Sequence, residues 1–147
     1  MKDIVIKEMT LLDFNQIADI LTIDFDEFWN ASILETELQN PFSKYIIAKI
    51  NEQIVGFAGV IDTVEQLEIT NIVVKKDFRK NGIGNKLLLE LINMAKQSSK
   101  EKIILEVNSN NLPAIKLYEK NGFNNIGFRK KYYNNTDDAN IMILKIK

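Results

Sequence analysis

The chain has 147 residues, of which 46% are hydrophobic and 27% are charged, and it carries a formal net charge of −1. This length and composition are typical of one globular domain, so residues 1–147 are predicted to form a single domain. A net charge near zero excludes the strong global field that would attract nucleic acid or an anionic membrane. Because no run resembles a signal segment or is long enough to span a bilayer, we expect a cytoplasmic protein.

Two residue types are missing altogether, since the chain contains neither histidine nor cysteine. The first absence excludes serine-type triads, imidazole general bases and histidine metal sites. The second excludes thiol nucleophiles, disulfides and thiolate zinc sites. The chemistry must come from carboxylates, hydroxyls, amines or backbone groups, or from a bound cofactor, and we expect no metal.

Hydrophobic periodicity predicts the elements of the first half of the chain. A short strand is expected around Ile4 and Ile6, and the polar turn at residues 51–53 indicates an antiparallel hairpin. The longer strands predicted here are residues 45–50, 54–63 and 66–74. The predicted helices are residues 12–24 and 32–38.

The second half contains the clearest helical pattern of the chain. The elements predicted here are helices at residues 82–98 and from residue 112, and strands at residues 102–107, 123–132 and 141–146. Pro113 lies in the first turn of the second helix and Gly122 just past its end, as is common at helix termini. Strand 102–107 is strongly apolar and is expected inside the sheet. The order predicts a mixed sheet covered by helices, with one parallel crossover from strand 66–74 to strand 102–107.

A glycine-containing loop separates strand 66–74 from the strongest helix. Its residues are Arg79, Lys80, Asn81, Gly82, Ile83 and Gly84. Glycines allow the backbone to turn tightly, and the N–H groups of the first helical turn carry about half a positive charge, so a phosphate is a suitable ligand. The loop lacks the Lys-Ser/Thr of a Walker A motif and the third glycine of a dinucleotide fingerprint. Taken alone, it is equally compatible with an ordinary helix start surrounded by solvated lysines.

The surroundings of the loop resolve this ambiguity. The pattern Gln/Arg-x-x-Gly-x-Gly/Ala, met here by Arg79, Gly82 and Gly84, is similar to the acyl-CoA motif of the GNAT acetyltransferase superfamily. Residues 105–123 resemble the strand and helix that follow this motif in that superfamily. Within it, the chain is most similar to the ribosomal-protein-alanine N-acetyltransferases, the RimI type. The segments that support this narrower match are residues 28–29, 129–133 and 138–142.

The resemblance implies an α/β (α+β) fold, the GNAT fold, with a mixed, mostly antiparallel sheet of six to seven strands flanked by about four helices. It also implies acetyl-CoA as the acyl donor and a monomer or weak homodimer. The residues implied to bind acetyl-CoA are Ile72, Val73, Val74, Arg79, Lys80, Asn81, Gly82, Ile83, Gly84, Asn85, Asn111 and Tyr118. The backbone of Ile72 and Val74 is expected to run beside the pantetheine arm as an added strand. Asn111 has an alternative role as a helix cap before Pro113.

The resemblance implies direct attack of an amine on the thioester, with two catalytic residues. Glu106 interrupts an apolar strand and matches the family's general base, although it could instead be a strand-end carboxylate or pair with Lys116. Tyr118 matches the general acid that protonates the departing thiolate. Its alternative role is to pack its helix against the sheet. The absence of cysteine agrees with direct attack, because it excludes a cysteine acyl-enzyme.

Fewer features of the sequence indicate where the acceptor binds. The residues implied to bind the acceptor are Trp29, Glu68, Asn71, Tyr132 and Tyr133. Trp29 could equally be a hydrophobic anchor, and Glu68 could simply be solvated. An N-terminal α-amine has a pKa of about 7.7–8.0, against about 10.4 for lysine, so it is easier to deprotonate by about 3.4 kcal/mol.

The resemblance and this chemistry favour acetylation of a protein N-terminus, such as the N-terminal alanine of a ribosomal protein. The alternatives are the same chemistry on a small amine, polyamine or antibiotic, and a non-catalytic acyl-CoA-binding module. The presence of both Glu106 and Tyr118 argues against the binding module.

Overall fold

The structure, a computed structural model, describes residues 3–25, 30–133 and 136–147. Its strands are β1 (Val5–Glu8), β2 (Ser43–Ile50), β3 (Gln53–Asp62), β4 (Gln66–Val74), β5 (Lys102–Asn108), β6 (Asn124–Tyr133) and β7 (Asp137–Lys145). Its α-helices are α1 (Leu11–Ile17), α2 (Ala31–Gln39), α3 (Ile83–Gln97) and α4 (Leu112–Lys120). A π-helical turn at Leu21–Phe25 and a 3-10 turn at Lys76–Phe78 complete the helical elements of the described ranges.

The seven strands form one sheet in the order β1-β2-β3-β4-β5-β7-β6. The pairs β1–β2, β2–β3, β5–β7 and β6–β7 are antiparallel, whereas β4 and β5 are parallel. The predicted mixed, mostly antiparallel sheet with one parallel crossover is therefore confirmed. Strand β5 lies between β4 and β7, as its apolar sequence predicts.

One predicted element is wrong. The sequence predicts a single helix over residues 12–24, but α1 ends at Ile17 and the chain then forms the separate π-helical turn. Leu21 and Phe25 of this turn are completely buried, as is most of Ile17. The apolar residues at helical spacing include Phe14, Ile17 and Leu21, and these are buried, but by a short helix followed by a wider turn.

Side-chain caps explain where the first helices begin. Thr10 caps α1 by accepting a hydrogen bond from the Asp13 N–H, and the Asp13 carboxylate accepts one from the Thr10 N–H at 2.9 Å. This reciprocal pair is a capping box, which satisfies two backbone donors at once. Asn30 caps α2 in a similar way by accepting from the Ile33 N–H at 2.9 Å.

Asp13 is a buried carboxylate whose surroundings favour its charged form. Burial by itself would raise its pKa, but hydrogen bonds from Thr10 and the ammonium groups of Lys7 and Lys49 outweigh that effect and hold the pKa below its ordinary value of 3.8. The ammonium nitrogens of Lys7 and Lys49 lie 3.6 and 3.4 Å from its two carboxylate oxygens. This cluster ties the start of α1 to β1 and β2.

Two compact units can be distinguished, and β4 contributes residues to both. The first comprises Met1–Asp62 and Asn71–Leu91. Its core contains the buried residues Phe14, Ile17, Leu21, Phe25, Leu34, Tyr45, Ile47 and Phe57. Gly56 of β3 allows α3 to approach closely, because a Cβ there would lie 3.2 Å from side-chain atoms of both Ile83 and Leu87.

The second unit comprises Thr63–Thr70 and Ile92–Lys147. Along β5, Ile103, Leu105 and Val107 are buried, while the residues between them are only partly buried. Because successive strand residues point to opposite faces, one face of β5 is packed and the other is partly accessible. Among the described residues, no helix has the length and apolarity needed to cross a membrane.

Candidate active site

The glycine loop begins where β4 ends and leads into α3. Lys80 and Gly82 both adopt left-handed backbone conformations, with φ of 67° and 79°. A Cβ built on Gly82 would meet nothing within 4 Å. The glycine is therefore required by the backbone conformation, and the space beside it is open to a ligand. This part of the loop agrees with the predicted phosphate site.

Arg79 braces this loop through backbone carbonyls. Its Nη2 donates a 2.6 Å hydrogen bond to the carbonyl of Phe25, and its Nε donates a 3.2 Å bond to the carbonyl of Val74. Asn81 adds a second brace, since its side-chain amide donates to the carbonyls of Phe78 and Arg79 at 3.1 and 3.3 Å. These side chains fix the shape of the loop whether or not a ligand is bound.

The start of α3 presents backbone donors. The first intrahelical hydrogen bond of α3 runs from the Lys86 N–H to the Gly82 carbonyl at 3.1 Å. The N–H groups of Ile83 and Gly84 come before it, so the helix itself offers them no carbonyl acceptor. The Ile83 side chain is buried, which leaves its backbone as the part suited to a ligand. Lys80 and Lys86 are exposed and add positive charge. Anions are stabilised at such helix starts.

The end of β4 supplies the remaining predicted donor-side residues. Val73 is buried, while Ile72 and Val74 are partly buried. The first four residues of β4 pair with β5, from Gln66 with Lys102 to Ile69 with Leu105. Strand β4 then continues beyond this pairing to Val74. The predicted donor residues at positions 72–74 and 79–85 thus all belong to the first unit, on adjoining stretches of chain.

Glu106 lies on the partly accessible face of β5 and has a basic partner. The Nη2 and Nε of Arg129 lie 2.8 and 3.0 Å from its Oε1. The Glu106 side chain is 22% exposed and that of Arg129 is 58% exposed. Glu106 is therefore a paired and partly exposed carboxylate, which agrees with the alternative environment considered for it from the sequence, although Lys116 was the partner suggested there. The partner is Arg129, which the sequence indicated only as part of a family-like run.

The strand register shows which other residues share this face. Glu68 is the register partner of Ile104, and both point to the same face as Glu106, two residues further along β5. Glu68 is exposed. The structure therefore brings two of the predicted site carboxylates to one face of the second unit.

Tyr118 lies on α4 and Asn111 directly precedes this helix, and both belong to the second unit. Tyr118 is buried, and its ring centroid lies 5.6 Å from that of Phe123. Tyr118 is therefore a buried aromatic that packs on Phe123, whereas its role as an acid stays a prediction. Asn111 is the N-cap of α4, where its side chain accepts a 3.3 Å hydrogen bond from the Ala114 N–H. Its capping role is confirmed, and contact with pantetheine stays a prediction.

Of the remaining acceptor-side candidates, the structure describes the side chain of Asn71 but not those of Trp29, Tyr132 and Tyr133. The Asn71 side-chain amide donates a 2.8 Å hydrogen bond to the hydroxyl of the buried Tyr45. Trp29 lies outside the described residues. Tyr132 and Tyr133 are described only as backbone of β6. Within the described ranges, no group of three or more acidic, histidine or cysteine side chains could hold a metal ion.

Comparison with known proteins identifies the family. The model of the Acetyltransferase (GNAT) family matches residues 14–123, a span that contains both the glycine loop and the β5–α4 segment. The chain belongs to the GNAT acetyltransferase family. It is accordingly an enzyme, an N-acetyltransferase.

Individual GNAT relatives match nearly the whole chain. A Bacillus subtilis protein with the provisional name ribosomal protein bS18-alanine N-acetyltransferase is 30% identical over 96% of this chain and 95% of its own length. The ribosomal protein bS18-alanine N-acetyltransferase of Haemophilus ducreyi is 34% identical over 82% of this chain and 83% of its own. The crystal structure of the ribosomal-protein-S18-alanine N-acetyltransferase from Escherichia coli superimposes with a TM-score of 0.89 and 27% identity, over 99% of this chain and 95% of that one.

Proposed function

We propose that this GNAT enzyme transfers the acetyl group of acetyl-CoA to the α-amine of a protein N-terminus, with the N-terminal alanine of a ribosomal protein as the leading acceptor. The observation that carries the proposal is the Glu106 carboxylate, held by Arg129 on the accessible face of β5. The names of the relatives that match nearly the whole chain support the choice of acceptor.

The donor side rests on the glycine loop. When bound, acetyl-CoA supplies a thioester whose carbonyl carbon accepts the amine. The backbone amides at the start of α3 suit its pyrophosphate, and the open space beside Gly82 permits close approach. The residues proposed to hold this end are Arg79, Lys80, Asn81, Gly82, Ile83, Gly84 and Asn85. The backbone of residues 72–74 and the side chain of Asn111 are proposed to hold the pantetheine arm.

Glu106 is proposed to remove the proton that the attacking amine must lose. A carboxylate that is accessible to solvent can accept this proton directly or through one water molecule. Such a base suits an α-amine better than a lysine side chain, because the α-amine is easier to deprotonate by about 3.4 kcal/mol.

Tyr118 is proposed to donate a proton to the thiolate that departs as acetyl transfer is completed. Its ring is fixed by packing against Phe123, so the hydroxyl has a defined direction. A fixed donor reduces the entropy that the transition state must lose.

The acceptor is proposed to contact Trp29, Glu68, Asn71, Tyr132 and Tyr133. Glu68 supports this assignment most directly, since it shares a face with Glu106 and is exposed. A net charge of −1 supports a protein without a nucleic-acid or membrane partner. We further propose a cytoplasmic enzyme that is a monomer or weak homodimer, because a ribosomal acceptor is made in the cytoplasm.

A second function is supported by one observation. The exposed carboxylate of Glu68, on the same face as Glu106, would also attract a polyamine or another small cationic amine. Acetylation of such a small amine is therefore the alternative to acetylation of a protein N-terminus.

An acceptor panel separates these functions. Release of CoA would be measured with free-amine peptides that differ in their first residue, with lysine peptides blocked at the N-terminus, and with polyamines. The proposal predicts the highest kcat/KM for a free N-terminal peptide. Activity on polyamines alone would establish the second function. Tight acetyl-CoA binding without transfer to any acceptor would indicate a binding module instead.

A further inference from the structure

The ion pair between Glu106 and Arg129 joins strands that are not neighbours. Strand β7 lies between β5 and β6 in the sheet. Across β7, Glu106 is the register partner of Ile141 and Arg129 is the partner of Ala139. Partner residues point to the same face of a sheet, as do residues two apart on one strand, so all four side chains share one face. Arg129 therefore reaches Glu106 by extending across β7.

The register partner of Arg129 on β7, over which its side chain extends, is a small residue. Ala139 is completely buried, and its methyl group leaves room for the aliphatic part of an arginine that spans an adjacent strand. Neighbouring strands lie about 4.8 Å apart, so the two side chains must together bridge about 10 Å. A long side chain on β6, a small residue on β7 and a glutamate on β5 satisfy this requirement.

The two contacts fall on a single oxygen. The Nε and Nη2 atoms of Arg129 both contact Oε1 of Glu106, and no contact to Oε2 is seen within the described residues. The guanidinium group thus fixes the carboxylate rotamer through one oxygen and leaves the other oxygen for a water molecule or an amine.

The pair contributes little to stability. An ion pair with one partner 58% exposed is screened by solvent, and such surface pairs contribute little to the free energy of folding. Alignment of a catalytic group, by contrast, depends strongly on a fixed rotamer. The effect of Arg129 should therefore appear in turnover more than in folding.

We propose that Arg129 is a positioning residue that aims the Glu106 carboxylate at the acceptor amine. The proposal rests on the proposed function, since it requires Glu106 to be the base. It adds a third residue, from a different strand, to the proposed pair of Glu106 and Tyr118.

The test compares Arg129→Met with Arg129→Lys, which keeps the charge but loses the planar fork. Lys130→Met is the matched control, because it removes a cation from the adjacent exposed position of β6. We expect Arg129→Met to lower kcat by about 10–100-fold, with the KM for acetyl-CoA within about twofold of wild type. Arg129→Lys should recover part of this loss, and Lys130→Met should stay within about twofold of wild type.

A double-mutant cycle with Glu106→Gln decides whether Arg129 acts through Glu106. On the Glu106→Gln background, Arg129→Met should lower kcat by less than about twofold further. An equal loss on both backgrounds, or an unchanged kcat in Arg129→Met, would overturn the positioning role while leaving Glu106 as the base. Full activity of Glu106→Gln would overturn the base assignment, and the positioning role with it.

Discussion

The Nη2 atom of Arg79 donates a 2.6 Å hydrogen bond to the backbone carbonyl of Phe25, the last residue of the π-helical turn. These residues are 54 positions apart in the sequence. The contact ties the turn that ends at Phe25 to the glycine loop. Arg79 therefore has a structural partner within the first unit, besides the ligand role proposed for it.

Removing the hydrogen bonds that Arg79 donates to backbone carbonyls should destabilise the folded enzyme even without a ligand. Arg79→Met loses two bonds from a charged donor to carbonyls, and we expect the apoenzyme Tm to fall by about 3–6 °C and acetyl-CoA affinity by about 5–30-fold. Calorimetry would give both values. Lys96→Met is the control, because it removes one positive charge from an exposed position at the far end of α3. An unchanged apoenzyme Tm in Arg79→Met would show that the arginine acts only on the ligand.

The base assignment predicts a large loss of turnover in Glu106→Gln. The amide keeps the size of the side chain but cannot accept the proton, so kcat should fall by about 10²–10⁴-fold while acetyl-CoA binding is preserved. Steady-state kinetics and a direct binding titration would separate the two effects. Glu119→Gln, an exposed glutamate on α4, is the matched control. Kinetics close to wild type in Glu106→Gln across pH would eliminate Glu106 as the base.

Tyr118→Phe distinguishes an acid from a packing residue. It keeps the ring contact with Phe123 and removes only the hydroxyl, so we expect a fall in kcat of about 10–100-fold with a Tm change of a few degrees at most. Phe123→Leu provides the opposite perturbation, since it loosens the same packing and leaves the hydroxyl in place. If Tyr118→Phe turns over like wild type, the tyrosine only packs.

The lowered pKa of Asp13 determines how this residue's contribution to the free energy of unfolding depends on pH. Because its folded pKa is lowered, its contribution is present above the ordinary value of 3.8 and is lost as pH falls from there through the folded pKa. Asp13→Asn should lower the unfolding free energy by about 1–3 kcal/mol at pH 7, and less at pH 3. Urea titrations at both pH values would measure this. A difference between variant and wild type that is equal at both pH values would contradict the account.

Much of the fold could be predicted because local patterns determine it. Strand β4 has the predicted bounds of 66–74, since its β-branched residues cluster toward its end and polar residues flank it. The π-helical turn could not be predicted. An α-helix over residues 12–24 would also bury Leu21, so periodicity alone does not distinguish the two conformations.

The candidate site follows from the sequence where it lies in one contiguous motif, but not where the strand register decides which side chains meet. The loop from Arg79 to Gly84 is continuous in sequence, so its conformation follows from its own glycines and the helix after it. The Glu106–Arg129 pair joins residues 23 positions apart on strands separated by β7. Only the strand order and register place these two side chains on one face. No local pattern encodes that arrangement.

The acceptor proposed for this enzyme is an N-terminal α-amine. The most direct measurement incubates the enzyme with acetyl-CoA and a peptide that begins with alanine and contains one internal lysine, and then locates the added acetyl group by fragmentation mass spectrometry. The account predicts one acetyl group on the α-amine, an unmodified lysine, and no reaction when the α-amine is blocked. Acetyl on the lysine, or an unmodified peptide under conditions in which a polyamine is acetylated, would contradict it.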